Sequence, residues 1–248
     1  NQDLREYLSQ LLTGRYQVSC AENGKEAWEL VQQNLPDLVI SDVMMPVMDG
    51  IQLCRHIKQN LSTSHIPVIL LTAKASSEDY VEGLESGADV YLEKPFSGDV
   101  IHAQIASIFR NREGMKKEFK TQPMVASVSV SKLDTLLMEK IAKIVEERMT
   151  DSDFTVDSLA QEVGISRSGL FAKLKAISGM TPNDYIRLIR LKKAACLLAE
   201  EGLSSSEACF RVGFSSPSYF AKCFQLQFGM SPTEFKQKGI QKSEISVE

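Results

Sequence analysis

An aspartate closes one apolar run at Asp42, a threonine closes another at Thr72, and a lysine follows a third at Lys94. A carboxylate, a hydroxyl and an ammonium in comparable positions form a set suited to phosphoryl chemistry. The carboxylate is a nucleophile toward phosphorus and the ammonium neutralises charge on the equatorial oxygens, because such transfer rests mostly on positioning and charge compensation. A second acid, Asp49, stands seven positions after the first in ISDVMMPVMDG, residues 40–50. Taken alone, an acid at the end of an apolar run serves equally as a helix cap or a turn residue, so the elements that carry these residues decide between the readings.

PDLVISD is a run of β-formers with apolar side chains on both faces, the pattern of a parallel strand buried between helices. Around it the chain alternates. Residues 3–12 (DLREYLSQLL) have helical spacing, YQVSCA predicts a short strand, and GKEAWELVQQ a helix started after Asn23-Gly24. Strand DLVIS, helix DGIQLCRHIKQN, strand IPVILLTA, helix SSEDYVEGLESG, strand ADVYLEKPF and helix SGDVIHAQIASIFR follow in order. Such alternation predicts an α/β doubly wound parallel sheet, whose ligand crevice lies at the carboxyl ends of the strands. Asp42, Thr72 and Lys94 belong to three of those ends.

The motifs D-x-M-M-P-x-M-D-G at 42–50, L-L-T-A at 70–73, G-A-D at 87–89 and Y-x-x-K-P-F at 91–96 together resemble the receiver domain of two-component response regulators, over residues 1–110. Singly, Thr72 reads as a strand residue, Tyr91 as a strand-end ring and Lys94 as a solvated charge; their joint order and spacing outweigh those readings. The resemblance implies a flavodoxin-like receiver with Asp42 as phosphoacceptor. Lys94 is then its ion-pair partner, the Thr72 hydroxyl and Ala73 N–H bind the phosphoryl group, and Tyr91 is an aromatic switch. It also implies Mg2+ held by Asp42, the Met44 backbone carbonyl and an adjacent acidic pair at the end of a first strand. The chain opens at Asn1-Gln2-Asp3, inside what resembles the first helix, so that strand and the remaining acidic ligands are expected upstream of Asn1, following either a short leader or a sensor kinase. Asp3 reads as a cap or first-turn acid, and Lys94-Pro95 as a candidate cis peptide.

With 248 residues the chain accommodates about two domains. Residues 1–110 hold 8 Lys/Arg against 15 Asp/Glu, net −7; the rest of the 28 and 32 leaves 20 against 17, net +3. Nucleic acid is therefore a partner only for the second half. Five scattered cysteines without a C-x-x-C pair read as buried free thiols of a reducing compartment. No apolar run approaches the ~18 residues that span a bilayer, and NQDLREYL is too polar for a signal peptide, so a cytoplasmic location is expected.

Residues 111–133 read as a linker, followed by a helix from Leu133 to about Arg148. Beyond it VGISRSGLFAKLKAISGMTPNDY, from Val163, returns as VGFSSPSYFAKCFQLQFGMSPTEF from Val212, which implies two copies of one supersecondary unit. Each has a helix ending at glycine (Gly164, Gly213), a short turn and a second helix opened by Ser166 or Ser215-Ser216, with small residues (Ala160, Cys209) where the helices cross. NDYIRLIRLKKAACLLAEE between them is an amphipathic helix. Residues 134–240 resemble the AraC/XylS-type DNA-binding domain, all-α with two helix-turn-helix units, and 241–248 form a tail. Two recognition helices on one rigid linker enter successive major grooves about 34 Å apart. The residues expected to face DNA are Ser166, Arg167, Ser168 and Lys173 on the first and Ser216, Ser218, Tyr219 and Lys222 on the second. Arg187, Arg190, Lys192 and Lys193 are placed to touch phosphate or to form a solvated face, and Phe171 and Phe220 to pack in the core.

The combined expectation is a phosphorylation-controlled DNA-binding transcription regulator with double-stranded DNA and a histidine kinase as partners, acting as a homodimer on DNA. The alternative is a pseudo-receiver that docks or dimerises without phosphorylation. A phosphohydrolase is disfavoured because those enzymes place a second acid two residues after the nucleophile, where this chain has Met44.

Overall fold

The computed structural model describes residues 2–73, 86–121, 131–151 and 153–245. Contacts divide the chain into two compact units, residues 1–135 with 168–179 and residues 136–167 with 180–248.

In the first unit the order is α1 (Gln2–Thr13), α2 (Gly24–Asn34), β1 (Val39–Asp42), α3 (Gly50–Gln59), β2 (Val68–Thr72), β3 (Val90–Glu93) and α4 (Gly98–Thr121). The strands form a three-stranded sheet in the order β1-β2-β3, and both pairings are parallel. All five residues of β2, VILLT, are buried. Its alternation divides them between two cores: Val68 and Leu70 pack with Leu53, Cys54 and Ile57 of α3, while Ile69 and Leu71 pack with Leu12 of α1 and Ile101 and Ile105 of α4. Each such side chain contributes about 1.5–3 kcal/mol on leaving water. A parallel sheet covered by helices on both faces satisfies a strand that is apolar on both sides. Local signals set the helix starts. Asn23 caps α2, and Asp49 caps α3 in a reciprocal box with Gln52, legible as Asp-x-x-Gln. Asp3 lies in the first turn of α1. Asp89 of the G-A-D motif receives the Val68 N–H (2.8 Å) and the Lys58 ammonium (2.6 Å), anchoring the start of β2.

Three expectations are corrected. YQVSCA forms no strand: residues 16–21 and β1 both line a cavity of about 690 Å³ and make no ladder with one another; β-forming side chains need a pairing edge as well as propensity. Residues 111–121 continue α4 through Gly114, held by Arg112 donating to the His65 carbonyl and by the Glu113–Lys116 pair, and the next proline in the sequence is Pro123. Cys20 and Cys196 are exposed, although all five cysteines are free. The expected helix over SSEDYVEGLESG and most of the linker lie outside the described residues.

The first unit also contains the first residues of α5 (Lys132–Glu147) and most of α7 (Arg167–Ser178). Here Lys173 is buried and pairs with Asp134, while its ammonium also reaches Ser64 Oγ. His65, next in sequence, is pushed down to about 3 by burial and then by the Lys173 charge.

The second unit holds most of α5 (Lys132–Glu147), then α6 (Val156–Val163), α8 (Pro182–Glu200), α9 (Ser205–Arg211), α10 (Pro217–Phe228) and α11 (Pro232–Ile245); α7 spans Arg167–Ser178. Thr155, Thr181, Ser204 and Ser216 each accept a backbone N–H three residues on and so cap α6, α8, α9 and α10. Phe214, Phe220, Phe224, Phe228 and Phe235 form a chain of ring contacts with centroids 4.5–5.7 Å apart. Among the described residues no helix is long and apolar enough to cross a membrane.

Two measurements check this packing. Gly164 and Gly213 both have positive φ, 89° and 79°, but a Cβ on Gly164 meets nothing within 4 Å, whereas one on Gly213 would lie 1.9 Å from the Met149 carbonyl oxygen. Gly164→Ala is expected to cost about 1 kcal/mol of unfolding free energy and Gly213→Ala about 3 kcal/mol or more, read by denaturant titration. For His65 the folded value lies below the unfolded one, so its contribution is complete above about 6.5 and is lost as pH falls. Going from pH 7 to 5 should destabilise the first unit by about 2 kcal/mol through this group, and His65→Gln should remove that slope.

Candidate functional site

The parallel register pairs Asp42 with Leu71 and Thr72 with Glu93, which brings the carboxyl ends of all three strands to one edge of the sheet. Asp42 ends β1, Thr72 ends β2 and Lys94 follows β3 directly. Lys94 Nζ lies 2.7 Å from Asp42 Oδ2, with the two side chains 24% and 13% exposed. The Lys94 N–H donates to the Thr72 carbonyl at 2.7 Å, tying the second and third strand ends together. Lys94-Pro95 is cis, as expected.

The turn after Asp42 is close-packed. The Val43 N–H donates to Leu71 O (2.8 Å) and the Gly50 N–H to Val43 O (2.9 Å). A Cβ on Gly50 would stand 2.1 Å from the Asp42 carbonyl oxygen, so glycine is required where α3 begins against the strand. Asp49, the second acid, is committed to capping α3. Met44 and Val47 stand out at 78% and 79% exposure, Val47 with φ of 69°. The Met44 N–H reaches Asp42 Oδ1 at 3.4 Å.

Thr72 is buried, Ala73 is exposed, and Tyr91 packs half-buried against the core on the α2–α3 face. One edge thus offers a carboxylate fixed by an ammonium, with a hydroxyl-bearing residue one position further along the next strand. For a divalent cation the residues here supply the Asp42 carboxylate and the Met44 carbonyl, hard oxygen donors of the right kind. Among the described residues no group of three or more His, Cys, Asp or Glu could complete such a site.

On the helices expected to meet DNA, Ser166, Arg167 and Ser168 are exposed, as are Ser216, Ser218, Tyr219 and Lys222. Arg167 pairs with Asp157 at 2.8 Å, Ser216 spends its oxygen on capping α10, and Tyr219 Oη accepts from Arg187 Nη1 at 3.1 Å. Lys173 is corrected. It lies on the same side of α7 as the buried Leu170, Leu174 and Ile177, and its ammonium is committed to Asp134, so it presents no charge to a ligand. Burial holds its pKa below the ordinary lysine value despite the attraction of Asp134. The lysine that α7 does expose is Lys175, seven residues after Ser168 and therefore on the same stripe. Sequence reading passed over it, although projecting the helical period from Ser168 finds it. Gln225 and Leu226 likewise extend the exposed Ser218–Lys222 stripe of α10. Phe220 is fully buried and Phe171 half-buried, as core packing requires.

A response regulator receiver domain profile matches residues 1–106, and a helix-turn-helix domain profile matches residues 159–238. The probable transcriptional regulator ycf27 of Porphyra purpurea is 31% identical over 175 residues, which cover 69% of this chain and 70% of that protein. This chain belongs to the response regulators. Its DNA-binding part is of the AraC type. Histidine kinase P4 of Formosa agariphila is 44% identical over 237 residues, 95% of this chain, and the response regulator spans only 17% of that protein's length. The signal receiver domain of a signal transduction histidine kinase from Syntrophus aciditrophicus is 34% identical, with a TM-score of 0.43, covering 53% of this chain and 92% of that one.

Because Lys173 and Asp134 are both buried, removing either leaves the other without its partner. Lys173→Ala in this regulator should cost about 3–5 kcal/mol of unfolding free energy, against about 0.5 kcal/mol or less for Lys175→Ala. Denaturant melts of the two variants check the difference.

Proposed function

We propose that this regulator accepts a phosphoryl group on Asp42 and thereby controls sequence-specific DNA binding by its two helix-turn-helix units. The observation that carries the reading is the convergence of Asp42, Lys94 and Thr72 on one sheet edge with the 2.7 Å carboxylate–ammonium contact. An Asp42 oxygen forms the new P–O bond as the P–N bond of a histidine kinase's phosphohistidine breaks, while Lys94 neutralises charge on the transferred group. The Thr72 hydroxyl and the Ala73 N–H then bind it. Movement of Thr72 toward the phosphate opens space for the Tyr91 ring, altering the surface near β3 and α4 and favouring pairing of receivers on DNA.

The Asp42 carboxylate and the Met44 carbonyl would be this chain's donors to Mg2+, which would supply charge neutralisation for the phosphoryl group.

The test is anisotropy of the full-length protein on a promoter duplex, with and without beryllofluoride and Mg2+. Tighter and more cooperative binding, by about tenfold or more, is expected with the mimic and should vanish in Asp42→Asn. Equal binding in both states sinks phosphorylation control and favours a receiver that docks or dimerises without it.

A further inference from the structure

Arg187 and Arg190 lie three residues apart on α8 and so share one face of that helix. Their guanidinium groups reach the two sides of the turn in the second helix-turn-helix unit. Arg190 Nη1 donates to the Gly213 carbonyl at 3.2 Å, just after α9 ends, and Arg187 Nη1 donates to Tyr219 Oη at 3.1 Å, in the first turn of α10. All four residues line one cavity of about 290 Å³, together with Asn183 and Ser215. Close apolar packing therefore does not hold the turn against α8 on this side, and the two arginines bridge the gap.

The bridge is anchored at both ends. Arg187 Nη2 is paired with Asp184, and Asp184 accepts at 2.7 Å from the hydroxyl of Thr181, the cap of α8. The Arg187 guanidinium is thereby oriented from the start of its own helix. Tyr219 is fixed in α10 by its N–H, which donates to the capping Ser216 Oγ at 3.3 Å, and by its ring, 6.1 Å from that of Phe214. The relay Asp184–Arg187–Tyr219 thus ties the start of α8 to the start of α10. Ser218, Lys222 and Gln225 form the exposed stripe of that same helix.

We infer that Arg187 and Arg190 are positioning residues for base recognition, which clamp the turn and hold α10 at one angle to α8 instead of contacting phosphate. Direct readout requires side chains held to within about 0.5 Å, whereas attraction to phosphates carries no sequence information and tolerates small rotations of the helix. Loss of the clamp then costs discrimination among sequences more than attraction to the duplex. The inference rests on the reading that α10 faces DNA.

Tyr219→Phe removes one oxygen and keeps the ring and the cap, so it breaks the relay without endangering the fold. In the full chain, without a phosphoryl mimic, anisotropy on a promoter duplex and on a random-sequence duplex is measured across a salt series. The variants are Tyr219→Phe, Arg187→Gln, the two combined, Arg190→Gln and Lys222→Gln. Each single clamp variant should lower the ratio of promoter to random-duplex affinity by about fivefold to tenfold. The combined variant should lose no more than Tyr219→Phe or Arg187→Gln alone, because both break the same bond. The slope of log K against log salt should stay at its wild-type value in all of these, while Lys222→Gln, which neutralises an exposed charge of α10, should lower it by about 1. A slope lowered by about 1 in Arg187→Gln makes that residue a phosphate contact and overturns the inference. An unchanged affinity ratio in Tyr219→Phe, or losses that add in the combined variant, overturns it as well. If Lys222→Gln alters binding to neither duplex, the DNA-facing reading of α10 is itself refuted and the clamp falls with it.

Discussion

Everything at the receiver edge depends on one constraint: a parallel strand buried on both faces has nowhere to put a polar side chain except its end. β2 shows this directly, with five consecutive residues removed from water and divided between the α2–α3 and α1–α4 cores. Charge placed within such a strand would cost several kcal/mol to desolvate. Polar chemistry is thereby driven to the carboxyl edge, and the parallel ladders bring the three strand ends to one edge of the sheet. Asp42 and Lys94, more than fifty residues apart in sequence, meet at 2.7 Å as a consequence of apolar packing.

The site then relies on close backbone approach. Gly50 lets the start of α3 touch the Asp42 carbonyl, and Asp49 is consumed in capping that helix, leaving Asp42 as the acid that faces the edge. Glycine and the acid–glycine pair in the loop are therefore structural, although they sit inside the motif that identifies the site.

In the helical half, the same economy of burial assigns the basic residues. Side chains three and four apart on a helix share a face, so α7 cannot bury Leu170, Leu174 and Ile177 and still expose Lys173. Its charge is met by Asp134, while Lys175 and, on α10, Lys222 remain with solvent. Arg190 sits between these cases, with its Nη1 donating to the Gly213 carbonyl and its Nε without a hydrogen-bond partner among the described residues.

The sequence by itself determined the order of α1–α3 and β1–β3, most of the caps, the parallel sheet, the two helix-turn-helix units and the three edge residues, because apolar period and turn chemistry are local and repeat along the chain. It carried Phe220 into the core and Gly164 and Gly213 to the helix ends correctly. Tertiary structure alone decided whether YQVSCA finds a pairing edge, how far α4 runs past Arg110, and which of Lys173 and Lys175 reaches solvent. It alone converged Phe154, Asn183, Arg190 and Ser215 on one cavity. Those outcomes depend on what stands opposite each residue. Propensity and spacing describe a segment's own preferences, whereas pairing, burial and charge compensation are properties of two segments brought together by packing.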